Sequence, residues 1–279
     1  MPITQHDNHP GAETQPKNVR RTVHLVGAED ERIDADVIEC GSGRRVVFLH
    51  GLVGLNEHWE DVIRRVHTRF ACTSVEIPLL ELKGSTCSIQ GVTDLTIQFL
   101  EEHVGEPAIL VGNSFGGHVA CRIAIKRPDL VRGLVLAGSS GMIERTFVRG
   151  APVRPSREWL REKIGELFHD TSFMREADLD RAHAALSKRS GARAMLRLSK
   201  SARRDHMGDE VSAINRPVLL IWGRQDVVTP PSAAQGFLDL LPDARIHWID
   251  ECGHAPMIEA PDEFAEAMLS FAADIDTRE

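Results

Sequence analysis

Ten residues, Ala108-Ile-Leu-Val-Gly-Asn-Ser-Phe-Gly-Gly117, restrict what this chain can fold into more than any other part of it. Ala108 to Val111 is a short apolar run and reads as a buried strand. Gly112 to Gly117 then places glycines two positions either side of Ser114, as a tight turn requires where Cβ atoms would clash. Phe115, Val119, Ile123 and Ala124 follow on one face of an amphipathic helix. Lys126 and Arg127 suit the negative end of that helix, and Pro128 stops it. A serine on a sharp turn from strand to helix is a nucleophile elbow. The helix start behind it offers free N–H groups and a positive dipole end, both favourable to developing negative charge.

The 279 residues, 42% of them hydrophobic, suffice for one large domain or for a domain with a sizeable insertion. A net charge of −8 argues against a nucleic-acid binder, which usually has a basic balance. No apolar run is long enough for a transmembrane helix, so no membrane partner is expected. Residues 1–21 are polar, contain Pro2, Pro10 and Pro16 and have no apolar core, so they read as a disordered arm and not a signal peptide. The five cysteines are odd in number and contain no C-x-x-C pair, which argues against disulfides and zinc and fits a reducing cytoplasm. Cys72 and Cys121 are expected to be buried and structural. No metal or other cofactor is expected, and oligomeric state leaves no signal.

Along the chain, 22–26 and 34–39 read as an antiparallel hairpin at a sheet edge. Strands are expected at 44–49, 71–77, 108–111 and 133–137, with helices at 57–66, 88–103 and after Ser114. From about 142 to 212 the chain has no apolar β-branched run and several short helical stretches rich in Arg and Ala. Strand and helix alternate again at 218–222, 232–241, 245–249 and 261–273. The alternation implies βαβ units, a doubly wound and mostly parallel α/β sheet covered on both faces. The sheet domain is then 22–141 with 213–279, and 142–212 is a helical cap inserted into it.

A serine hydroxyl is a weak nucleophile and needs a base, which itself needs an orienting acid. Reactive groups in an open α/β sheet gather outside the carboxyl ends of the strands. Asp226 follows the strand 218–222 in Gly223-Arg224-Gln225-Asp226, and His254 follows the strand 245–249. Ser114, Asp226 and His254 thus arrive from three separate loops in the order Ser, Asp, His. Asp250 is the alternative acid, but it lies too close along the chain to reach the ring comfortably. His50, at a strand end before Gly51, is expected to shape the following loop. The oxyanion needs two donors, assigned to the backbone N–H groups of Phe115 and Leu52.

With His50-Gly51, Gly112-Asn113-Ser114-Phe115-Gly116-Gly117, Gly223-Arg224-Gln225-Asp226 and Gly253-His254, the chain resembles the α/β-hydrolase superfamily over about 23–273. Gly-Asn-Ser-Phe-Gly-Gly and Leu167-Phe168-His169-Asp170 are similar to the meta-cleavage-product hydrolases, which split C–C bonds in vinylogous keto-acids. The chain differs from them at Gly51–Leu55, where they carry a longer glycine-rich loop, and at Ala255, where they usually have tryptophan. The expected activity is hydrolysis of a small carboxylic ester, with C–C hydrolysis as the alternative. A ligand-binding protein that kept only the fold is a third, weaker reading, because all three catalytic residue types are present.

Substrate choice falls to the cap. Residues 142–212 carry 15 Lys and Arg against 11 Asp and Glu, whereas the remainder carries 18 against 30. Most of this charge is expected on solvated helix faces. Arg193 and Arg197 are candidates to bind a substrate carboxylate, and Trp159 and Phe168 are candidates to line the pocket.

Overall fold

A computed structural model describes residues 18–143 and 155–277. At one edge, β1 (Val19–Val26) and β2 (Arg32–Gly41) pair antiparallel. Val23 and Leu25 face inward from one, Ile33, Ala35 and Val37 from the other. The strand thus begins three residues inside the stretch read as an arm: Val19–Arg21 pair with Val37–Glu39, and Arg21 binds Glu39 through two hydrogen bonds. The rest of that arm, 1–17, lies outside the described residues.

The chain continues through β3 (Arg44–Leu49), α1 (Glu60–Val66), β4 (Phe70–Glu76), α2 (Ile89–Phe99), β5 (Ala108–Asn113), α3 (Phe115–Lys126) and β6 (Val131–Ala137). Helices α4 (Arg157–Gly165), α5 (Glu176–Leu186) and α6 (Arg189–Arg204) come next, then β7 (Val218–Gly223), α7 (Pro231–Leu240), β8 (Ala244–Ile249), α8 (Pro256–Glu259) and α9 (Pro261–Asp276). Among the described residues, eight strands join one sheet in the order β1-β2-β4-β3-β5-β6-β7-β8. From β4 to β8 every neighbouring pair is parallel. The central strands are apolar on both faces because helices cover both sides. In β5, Ala108 and Leu110 pack into the core with α2, α3 and α7, while Ile109 and Val111 pack into the core with α1 and α9.

Chain order reverses at β3, which has β4 on one side and β5 on the other. The loops leaving β3 and β5 therefore open a crevice at the carboxyl edge, where ligands of such sheets bind. Helices α4–α6 share a small core of Leu160, Leu179 and Leu186, with Trp159, Ile164 and Met195 against it. Ser156 caps α4 by accepting from the Trp159 N–H. In α6, Gly191, Ala194, Leu198 and Ala202 form the buried stripe, at helical spacing. Residues 144–154 of the expected cap lie outside the described residues. Among the described residues no helix is long and apolar enough to cross a membrane. All five cysteines are buried free thiols, Cys72 in β4 and Cys121 in α3.

Candidate active site

Ser114 sits at φ 53°, ψ −116°, a backbone conformation that non-glycine residues rarely adopt and that has to be held by its surroundings. Its N–H donates to the Ala137 carbonyl, and its own carbonyl accepts from Ser140 N–H and His118 N–H, at 3.0–3.2 Å. The elbow also presses against β3. A Cβ on Gly116 would stand 2.3 Å from the Leu49 carbonyl oxygen and 2.7 Å from that of His50, so only glycine permits this approach. Asn113, buried beside Ser114, donates its amide N–H groups to Ala137 O and His254 O, at 3.0 and 3.1 Å. The elbow is thereby tied to β6 and to the loop after β8.

Asp226 and His254 meet directly. His254 Nδ1 lies 2.8 Å from Asp226 Oδ2, and both side chains are buried. A carboxylate only accepts, so Nδ1 carries the hydrogen and the neutral ring keeps its lone pair on Nε2. The other oxygen, Oδ1, accepts from the N–H groups of Val228 and Thr229, at 2.8 and 2.9 Å. Thr229 Oγ1 donates to Oδ2 at 2.8 Å and stands 3.2 Å from His254 Nδ1 as a second acceptor. Every lone-pair direction of the buried carboxylate therefore has a partner, which holds it in place. Asp250 is elsewhere: it pairs with Arg224 at 2.8 Å on the surface. His50 Nδ1 donates to Gly51 O at 2.7 Å and so pins the loop after β3.

Ser114, Asn113, His254, Gly51 and Leu52 open into one cavity of about 150 Å³. A Cβ on Gly51 would stand 3.5 Å from Ser114 Cβ, so the Leu52 loop lies against the elbow. Phe115 opens α3, and its N–H has no carbonyl partner within the helix. The far wall comes from α4–α6 and the segment after α4, with Ile164, Leu167, Phe168, Met174, Met195 and Ser199. Phe168 lines the cavity, as the sequence suggests, but three other expected residues do not. Trp159 packs in the small core of α4–α6. Arg193 is exposed on α6, and Arg197 donates to Gly84 O at 2.8 Å away from the cavity.

Among the described residues, the arginines that reach the cavity are Arg175 and Arg203. Arg175 approaches Asp61 at 3.4 Å. Asp178 pairs with His58 at 3.1 Å and with Arg181 at 3.0 Å. Burial raises the Asp178 carboxyl, but these two partners outweigh it and leave it below its usual range. Ser199 Oγ is buried without a hydrogen-bond partner among the described residues. Thr229, Ser199 and Arg203 carry no motif, and Asn113, though part of Gly112-Asn113-Ser114-Phe115-Gly116-Gly117, has no role that the sequence assigns. Thr229 alone left a weak trace, as a hydroxyl three residues past the acid. Among the described residues no group of three or more His, Cys, Asp or Glu side chains could hold a metal ion.

A strained serine at a switch point beside a histidine–aspartate pair defines a class of fold and site. A sequence model of the alpha/beta hydrolase family matches residues 46–267. The chain belongs to that family, and its chemistry is hydrolysis. A 2-hydroxy-6-oxo-6-(2'-aminophenyl)hexa-2,4-dienoic acid hydrolase of Metapseudomonas resinovorans is 26% identical, with 91% of this chain and 90% of that protein covered. A pimeloyl-[acyl-carrier protein] methyl ester esterase of Nitrosomonas europaea is 28% identical, with 80% and 94% covered. Among solved structures, an alpha/beta hydrolase enzyme from the metagenome of sediments of the Mar Chica lagoon, Morocco, superposes with a TM-score of 0.70. It is 29% identical, over 87% of this chain and 96% of that one.

Proposed function

We propose that this protein hydrolyses small carboxylic esters through a Ser114–His254–Asp226 triad. The observation that carries the reading is the buried 2.8 Å bond from His254 to Asp226 in the same cavity as the strained Ser114. Ser114 Oγ attacks the ester carbonyl while His254 Nε2 takes its proton. Asp226 holds the ring in that tautomer and stabilises the imidazolium that forms. The N–H groups of Leu52 and Phe115 hold the oxyanion. The imidazolium returns its proton to the leaving alcohol, and a water activated by the same ring then releases the acid from Ser114.

A mostly apolar cavity of about 150 Å³ suits an acyl or aryl group near the size of a benzene ring. Residues 142–212 act in this reading as a cap that excludes water and sets specificity. Ser199 and Arg203 offer donors to a polar or anionic tail, in place of Arg193 and Arg197. Five free thiols support a reducing cytoplasm as the compartment.

C–C hydrolysis is the second reading. It is favoured by the Metapseudomonas relative, whose named substrate has no ester, so that hydrolysing it must cut a C–C bond. Turnover of p-nitrophenyl acetate and butyrate, abolished in Ser114→Ala, is the expected result. A coloured 2-hydroxy-6-oxo-dienoic acid, assayed in parallel, separates the two readings. Ester turnover that survives Ser114→Ala would refute the triad.

A further inference from the structure

Five positions beyond His254, at the end of α8, the Glu259 carboxylate joins two segments far apart in the chain. Its Oε1 accepts from the Gly253 N–H at 2.8 Å. Its Oε2 accepts from the N–H groups of His169 and Asp170, at 2.7 and 3.2 Å. A third link runs beside it, from the His254 N–H to the Leu167 carbonyl at 2.7 Å. The two backbones touch with nothing between them. A Cβ on Gly253 would stand 2.7 Å from Leu167 O, 2.8 Å from His169 N and 2.9 Å from the Phe168 carbonyl carbon. Segment 167–170 belongs to the helical stretch over the site and carries Phe168 into the cavity.

We infer that Glu259 is a positioning residue, which makes the placement of the His254 imidazole depend on the seating of segment 167–170. The inference rests on the reading of His254 as the general base. These N–H groups lie outside regular strands and helices, so their pairing falls to local acceptors. A carboxylate serves both sides at once, with charge-assisted bonds from each oxygen. A carboxamide cannot do so. With its oxygen toward one side it presents an NH₂ group to a donor on the other, and the link that holds the two segments on each other is broken. The same carboxylate acting only as glue for stability would leave kcat unchanged in the folded variant. A carboxylate that aims the imidazole acts on the transition state, and there a misplacement of about 1 Å costs up to about a hundredfold.

Glu259→Gln tests this by steady-state hydrolysis of p-nitrophenyl butyrate, below the melting transition, together with amide hydrogen exchange. The expected result is a kcat lowered by about ten- to a hundredfold with KM within about threefold. Exchange should quicken in 167–170 and in 252–254 together, with β8 and α9 unchanged. An unchanged kcat, or exchange altered in one segment alone or in neither, would overturn the inference. If Glu259→Gln does not fold, Gly253→Ala gives the same readouts, because its Cβ wedges the segments apart while Glu259 is intact. Exchange requires no turnover. A wild-type enzyme without Ser114-dependent activity would therefore refute the hydrolytic triad, while the exchange data still decide whether Glu259 links the two segments.

Discussion

Asp226→Asn isolates what the acid contributes, because the substitution preserves shape and changes only one edge of the side chain. The amide oxygen still accepts from the Val228 and Thr229 N–H groups, so the loop is expected to keep its fold. The NH₂ group replaces Oδ2, which accepts from His254 Nδ1 and from Thr229 Oγ1, each at 2.8 Å. A donor facing Nδ1 forces the ring into the other tautomer, with the hydrogen on Nε2 and no lone pair left for Ser114. Losing the charged hydrogen bond costs about 1.5–3 kcal/mol, and returning to the working tautomer against an opposed donor costs roughly another 1–3 kcal/mol. At about 1.4 kcal/mol per decade the sum predicts a kcat lower by about 10²–10⁴ with KM little changed. Steady-state kinetics on p-nitrophenyl butyrate, with circular dichroism to confirm folding, measures it. A folded Asp226→Asn variant with kcat within tenfold of wild type would refute the role given to this bond.

Three further outcomes are expected. Gly116→Ala drives a Cβ into two backbone carbonyls of β3; a loss of about 3 kcal/mol or more, a fall in Tm of roughly 6–12 °C, should appear by calorimetry, and an unchanged Tm would contradict the close approach. Arg203→Ala should raise KM several-fold for an ester with an anionic tail and leave a neutral ester unaffected, while Arg193→Ala should alter neither; equal effects on both esters would dismiss Arg203 as a specificity residue. Burial holds the His118 imidazole below the usual histidine range, against the pull of Asp205 3.1 Å away. The unfolded chain therefore binds a proton near the ordinary value while the native chain does not, so this stability is present above that pH and is lost as pH falls below it. Tm measured from pH 8 to pH 5 should fall, and His118→Gln should flatten the slope.

Most of the fold was legible because its signals are local. Strand β3 spans the expected 44–49 and ends where the apolar run 46–49 does, and the hairpin was visible from two alternating runs around a polar turn. Ser114, Asp226 and His254 could be placed for the same reason: each lies in the loop that leaves the carboxyl end of a strand, and the strand fixes which edge of the sheet that loop reaches. Partners that act across the fold left no such mark. Glu259 reads in sequence as an ordinary acidic residue before a proline, and Thr229 as part of a loop, since their donors and acceptors come from segments far away along the chain.

The sequence alone determined the sheet, the elbow and the three residues proposed to carry the chemistry, because strand periodicity, tight-turn glycines and strand-end loops are short-range properties. Which arginines see the cavity was decided only by tertiary structure. At about 100° per residue, Met195, Ser199 and Arg203 share one face of α6, and Arg193 and Arg197 lie on the other side. The six cations of α6 share one arc of about 120°, so the pattern marks a polar face but not which edge of it borders the cavity. The packing of Gly191, Ala194, Leu198 and Ala202 against the body of the protein chose it.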